Sequence, residues 1–153
     1  MSTERVLIQR GISKALITVL KDLTQKIQAS TQPDASISPL FCTAAAEKVI
    51  SLISDAKARG GNVLVGDITH TGAVVQPHIV LGIEPGWPLW EQESFGPVFG
   101  IKIADTEAEL VQLANQTDYS LTAAVWTTDM GRGLRVARGI RAGGWCLFSV
   151  FFC

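Results

Sequence analysis

The chain has 153 residues, 47% of them hydrophobic, with 13 basic and 14 acidic side chains and a formal net charge of −1. That length supports one domain with a packed core, and the even charge excludes the basic footprint of a nucleic-acid or membrane-surface binder. No apolar run approaches the roughly 18 residues of a membrane span. The N-terminus carries no signal pattern, and Cys42, Cys146 and Cys153 are too few and too scattered for a disulfide framework or a metal site. A reducing, cytoplasmic compartment is the expectation.

Arg5-Val6-Leu7-Ile8-Gln9 reads as a short strand. From Ile12 the apolar residues recur at Ala15, Leu16, Val19, Leu20, Leu23 and Ile27, a helical spacing over four turns. Gln32-Pro33-Asp34 breaks that helix. A second helix is predicted from Thr43 to Ala58, with Ala46, Val49, Ile50, Ile53 and Ala56 inward and Gly60-Gly61 as its stop. Residues 62–66 and 73–81 read as strands joined by a loop.

The apolar run from Val98 to Ala104 predicts a buried strand. A helix follows at Thr106, where Thr106 and Glu109 have the capping-box spacing, with Leu110, Leu113 and Ala114 toward the core. Residues 121–127 read as a strand. Asp129 is a cap for a helix over Met130 to Arg141, with Leu134, Ala137 and Ile140 inward. Strand and helix alternate after residue 95, so an α/β layer is expected, with strands 98–104 and 121–127 in one sheet.

The stretch that composition does not explain is Glu91-Gln92-Glu93-Ser94-Phe95-Gly96-Pro97-Val98-Phe99-Gly100. Gly96 permits unusual backbone angles or a close approach. Pro97 fixes its own φ and biases its neighbour away from helix. Glu93 and Phe95 are thereby held on a stiffened turn at a strand entrance, a position suited to ligand contact. From these residues alone, an ordinary loop-to-strand junction is the alternative.

The decapeptide resembles the E-x-F-G-P-V motif of the aldehyde dehydrogenase superfamily, and the resemblance continues along the chain. Met1-Ser2-Thr3-Glu4-Arg5-Val6 is worded like the segment after the catalytic cysteine in the aromatic-aldehyde branch (salicylaldehyde, vanillin and benzaldehyde dehydrogenases). Gln76-Pro77 resembles the family's Q-P-T. Leu113-Ala114-Asn115 with Tyr119-Ser120-Leu121-Thr122-Ala123 resembles L-A-N…Y-G-L-A-A, with Ser120 in place of glycine, and Gly143-Gly144 resembles the A-G-x before I-N.

The resemblance implies an α/β chain, part of an aldehyde dehydrogenase catalytic domain with an open, mostly parallel sheet and flanking helices. Residues 1–145 would form that partial domain and residues 146–153 an atypical apolar tail. It implies oxidation of an aldehyde to the carboxylic acid with NAD or NADP. Glu93 would bind the ribose hydroxyls beside nicotinamide and Phe95 would pack next to its ring. Lys48, in Ala45-Ala46-Glu47-Lys48-Val49, matches the lysine of a helical segment along the cofactor, although Ala45 replaces the usual glutamine.

The family's nucleophilic cysteine would fall directly before Met1, and its general-base glutamate, oxyanion asparagine and dinucleotide-binding half further upstream. No catalytic residue is therefore assigned, and the chain is expected to be truncated at both ends and inactive alone. The parent would take a small-molecule aldehyde and form a homo-oligomer. The alternative is a non-catalytic relict or interaction module that keeps the family's surfaces. The apolar end, residues 145–153, has the composition of an aggregating edge.

Other features read as structural. Cys42 begins a helix but matches no family nucleophile, and Cys146 and Cys153 read as inert. His70 and His78 read as loop and strand-edge residues, neither bases nor ligands. Gly131-Arg132-Gly133 opens like a dinucleotide fingerprint but lies in a helical pattern. Arg132, Arg135, Arg138 and Arg141 form a basic stripe that reads as a solvated or subunit-facing surface.

Overall fold

The structure, a computed structural model, describes residues 3–148. Strands β1 (Arg5–Gln9), β6 (Val98–Ala104), β5 (His78–Leu81) and β2 (Asn62–Val65) form a sheet in the order β1-β6-β5-β2. β1 and β5 both run parallel to β6, and β2 closes the edge antiparallel to β5. Between β2 and β5 a small hairpin, β3 (His70–Thr71) with β4 (Val74–Val75), occupies the predicted loop and divides the predicted 73–81 strand at Gln76-Pro77. Proline removes the amide that a continuous ladder needs.

Helix α1 (Arg10–Thr24) covers one face of the sheet, packing Leu16, Ile17 and Leu20 against Ile8, Ile79 and Ile101. Helix α2 (Thr43–Ala58) and α4 (Glu107–Asn115) belong to the core on the other face, where Val49, Ile53, Val80, Val98, Ala104 and Leu113 meet. The short α3 (Pro88–Glu91) joins this second layer through Leu89 and Trp90. Burial on both faces is why β6 is apolar apart from Lys102, whose ammonium pairs with Glu84.

Two expectations are corrected here. Helix α1 ends at Thr24, before Ile27, and the apolar row is not the face it buries: Ser13, Leu16, Ile17, Leu20 and Thr24 face the sheet, whereas Ile12, Val19 and Leu23 are more than half exposed. The sequence offers two apolar seams about 100° apart, and Ser13 can enter the core because its hydroxyl donates to the Arg10 carbonyl (2.8 Å). Strand β7 (Thr122–Trp126) does not share the sheet of β6. It pairs in parallel with β8 (Gly144–Phe148), and α5 (Met130–Gly139) is their crossover. Alternation of strand and helix signals such a unit but does not say which sheet it joins.

Leu134 also differs from its expected inward position. Ala137 is buried as expected, Gly133 and Val136 are buried beside it, and a Cβ at Gly133 would stand 2.4 Å from Leu147 Cδ1. Both predicted caps form. Asp129 accepts from Arg132 N (3.0 Å) and Thr106 from Glu109 N (3.1 Å), while Glu109 reaches back to Asp105 N (2.7 Å), one residue beyond the usual box. Of the apolar end, residues 144–148 form β8, with Phe148 stacked on Trp126 at 4.2 Å. Residues 149–153, including Cys153, lie outside the described residues.

Candidate functional site

The motif turn is built by elements on both sides of it. Pro88 opens α3 with a pre-set φ. Trp90, fully buried, donates its indole N–H to the Gln116 carbonyl, and Glu91 caps the preceding bend by accepting from Gly86 N (2.7 Å). The chain then leaves α3 through exposed Glu93 into buried Ser94. Ser94 Oγ accepts from Gly96 N (3.1 Å), closing the turn before Pro97 delivers the chain to β6.

Phe95 has φ of 51°, a left-handed angle that side-chain-bearing residues rarely adopt, and the residue is 68% exposed. Gly96, next to it, does not have positive φ; its lack of a side chain serves close approach. A Cβ there would lie 2.4 Å from Val49 Cγ2 on α2. This contact puts the turn against the helix that carries Lys48, one residue before Val49. Lys48 Nζ donates to the Glu93 carbonyl (2.8 Å) and stands 5.8 Å from the centre of the Phe95 ring. The structure thus brings Lys48, picked from one segment of the sequence, onto one edge with Glu93 and Phe95, picked together from another.

Several participants were not among the expected site residues. Glu4 Oε1 accepts from Ser94 N (3.2 Å), Ser94 Oγ (3.2 Å) and Phe95 N (3.4 Å). Next to it, the Arg5 guanidinium lies over the rings of Trp90 (5.1 Å) and Tyr119 (5.8 Å). Burial lowers the Arg5 pKa from its ordinary value. Burial likewise pushes the Tyr119 hydroxyl up to about 12, with Arg5 opposing. Arg5 Nη1 and the Tyr119 hydroxyl are both buried and have no hydrogen-bond partner among the described residues. Contacts between residues 90 positions apart leave no periodic trace, so only the fold reveals them.

The other chemistry-bearing residues lie outside this cluster. Cys42 is the N-cap of α2 without a side-chain cap bond, and Cys146 is exposed on β8. His78 opens β5 and is 1% exposed; its Nδ1 bonds the Gln76 carbonyl (2.6 Å) and its Nε2 accepts from Ile68 N (3.0 Å), so it is a neutral structural pin. Burial lowers its pKa below the ordinary value. Gly131 and Gly133 lie within α5, and Arg132 and Arg135 of the basic stripe flank Glu107 of α4 (3.6 and 3.5 Å). Among the described residues no helix is long and apolar enough to cross a membrane.

Comparison with known proteins places this arrangement. The model of the Aldehyde dehydrogenase family matches residues 1–148. The chain is 36% identical over 143 residues to betaine aldehyde dehydrogenase of Cereibacter sphaeroides, covering 91% of this chain and 30% of that protein. It is 30% identical to vanillin dehydrogenase of Pseudomonas fluorescens, covering 94% of this chain and again 30% of the relative. The chain therefore spans about 30% of the length of these curated relatives. Among solved structures, betaine aldehyde dehydrogenase of Staphylococcus aureus in complex with NAD+ superposes with a TM-score of 0.87 at 28% identity, covering 97% of this chain and 32% of that one. An oxidoreductase of Marinobacter aquaeolei superposes with a TM-score of 0.88 at 25% identity, covering 94% and 31%. With a family match running from residue 1 to residue 148 and the motif turn folded at its centre, the chain belongs to the aldehyde dehydrogenase family.

Proposed function

We propose that this chain supplies the nicotinamide-ribose edge of an NAD(P)+-dependent aldehyde dehydrogenase, a parent enzyme that oxidises an aldehyde to its carboxylic acid. The observation that carries this reading is the convergence of Glu93, Phe95 and Lys48, with an exposed aromatic ring held at positive φ. An ionised Glu93 can accept hydrogen bonds from both hydroxyls of a vicinal diol, and Phe95 offers a flat apolar face to a neighbouring ring. Lys48 steadies both, holding the Glu93 backbone and lying over Phe95. Bound NAD or NADP would supply the hydride acceptor; these side chains would orient its nicotinamide end and keep water from it. The NAD+ complex of the Staphylococcus aureus relative supports the choice of cofactor.

Vanillin dehydrogenase and the wording of residues 1–6 support an aromatic aldehyde as the parent's substrate, and the betaine aldehyde dehydrogenases support a charged aliphatic one. We take the aromatic class as the first to test, in a homo-oligomeric parent. By itself the chain is proposed to be inactive, because neither described cysteine occupies the family's nucleophile position. Its cofactor affinity would be weak. Charged hydrogen bonds contribute about 1.5–3 kcal/mol each, against roughly 4–15 kcal/mol for lost translation and rotation. A second reading, a non-catalytic interaction module, is favoured by the exposed Ile12, Val19, Leu23 and Trp126.

The test pairs an NADH absorbance assay, using benzaldehyde-type substrates and betaine aldehyde, with an NMR titration of NAD+. The expected result is no turnover, weak binding, and shifts at Lys48, Glu93 and Phe95 that disappear in Glu93→Gln. Micromolar affinity, or turnover that Cys42→Ser abolishes, would overturn the proposal of inactivity. Absence of any NAD+ response at these three residues would overturn the cofactor edge.

A further inference from the structure

We propose that Glu4 is a positioning residue for this edge: one of its carboxylate oxygens holds the Ser94–Phe95 turn in the conformation that presents Glu93 and Phe95. The inference rests on the cofactor reading above and adds to it a residue from outside the motif. Three donors converge on Glu4 Oε1: the Ser94 amide, the Ser94 hydroxyl and the Phe95 amide. Residues at disfavoured backbone angles persist only where their surroundings impose them. The Phe95 amide is held at its own strained residue, with φ of 51°.

Ser94 transmits the constraint across the turn. Its hydroxyl has Glu4 Oε1 (3.2 Å) as the nearer of two acceptors, the other being the Gly96 carbonyl (3.4 Å), and it accepts from Gly96 N (3.1 Å), so Ser94 links Glu4 to residue 96. A carboxylate suits this role because it is purely an acceptor with several lone pairs, and its bonds to N–H and O–H donors are charge-assisted.

The backbone that carries this carboxylate is itself anchored. The Glu4 carbonyl accepts from Gly100 N (2.9 Å), and the following residue, Arg5, pairs with Gly100 in the β1–β6 register while its guanidinium lies over Trp90 and Tyr119. The Glu4 main chain is therefore fixed by the sheet, and its side chain reaches from that fixed point to the turn. This ties the start of β1 to the entrance of β6 and sets the Phe95 ring relative to Lys48.

The experiment uses the 153-residue chain and its Glu4→Ala and Glu4→Gln variants. Amide hydrogen exchange is read at Ser94, Phe95 and the core residues Ile53 and Ile101, and nicotinamide mononucleotide is titrated by NMR. In Glu4→Ala, exchange at Ser94 and Phe95 is expected to rise at least about tenfold, as loss of a charge-assisted bond implies. The mononucleotide-induced shifts at Phe95 should be lost while Ile53 and Ile101 stay protected. Glu4→Gln keeps an acceptor oxygen and should restore most of both signals, and it also serves as the folded comparison if the alanine variant does not fold.

Wild-type exchange at Ser94 and Phe95 in Glu4→Ala would overturn the proposal. So would equal acceleration at all four amides, which marks a purely structural role. A wild-type chain that never responds to the mononucleotide refutes the cofactor reading instead, and the exchange rates then decide on their own whether Glu4 sets the turn.

Discussion

The left-handed angle at Phe95 makes a sharp prediction about two substitutions at one site. With φ of 51°, any residue bearing a Cβ is strained there by about 1–2 kcal/mol, and glycine is not. Glycine gives back about 0.4–1 kcal/mol through the greater freedom of its unfolded chain. The balance makes Phe95→Gly more stable than Phe95→Ala by up to about 1.5 kcal/mol, centred near 0.8. Both variants lose the same ring, from a residue that is 68% exposed and contributes little burial, and the same contact with Lys48, worth about 0.5–1 kcal/mol at an exposed site. Phe95→Ala should therefore be less stable than wild type and Phe95→Gly close to it. The assay is urea unfolding followed by tryptophan fluorescence, with equal m-values required for the comparison. Ser51, exposed within α2, is the control, where glycine should be less stable than alanine by about 1 kcal/mol. A Phe95→Gly variant less stable than Phe95→Ala would refute the argument that the fold imposes this angle.

Three further outcomes are expected. The chain has one tyrosine, so ultraviolet titration reports Tyr119 alone, and its ionisation should be delayed to about pH 12. Because the folded pKa is raised above the ordinary 10, the folded chain holds a proton that the unfolded one releases, and stability should fall as pH rises through that window. His78 has the opposite sign: its neutral form is favoured in the fold, so stability present above about pH 6.5 should be lost as pH falls below it. His78→Gln should flatten that part of the urea-midpoint profile, and an unchanged slope would exclude His78 as its source. Gly100→Ala should cost about 1–3 kcal/mol, read from the urea midpoint, since its Cβ would lie 2.1 Å from Cδ1 of fully buried Ile83.

Local chemistry made much of this protein legible from its residues. Thr106 and Asp129 cap the helices they were expected to cap, because an N-cap needs only a side-chain oxygen and an amide three residues on. The α2 helix and the β6 strand follow from apolar spacing and from an apolar run broken only by Lys102. The motif turn was visible too, since glycine and proline constrain the backbone wherever they stand.

What depended on distant contacts was not legible. The seam of α1 that faces inward was settled by the sheet, as was the separation of the β7–β8 pair from β6. At the site, the sequence pointed to Gly96 as special, and tertiary packing decided why. Val49 on α2 needs the space, and the unusual angle falls on Phe95 instead. The roles of Glu4, Arg5, Trp90 and Tyr119 at the site entered only through the fold, because a hydrogen bond or a cation over a ring depends on distance in space, and periodicity reports only separation along the chain.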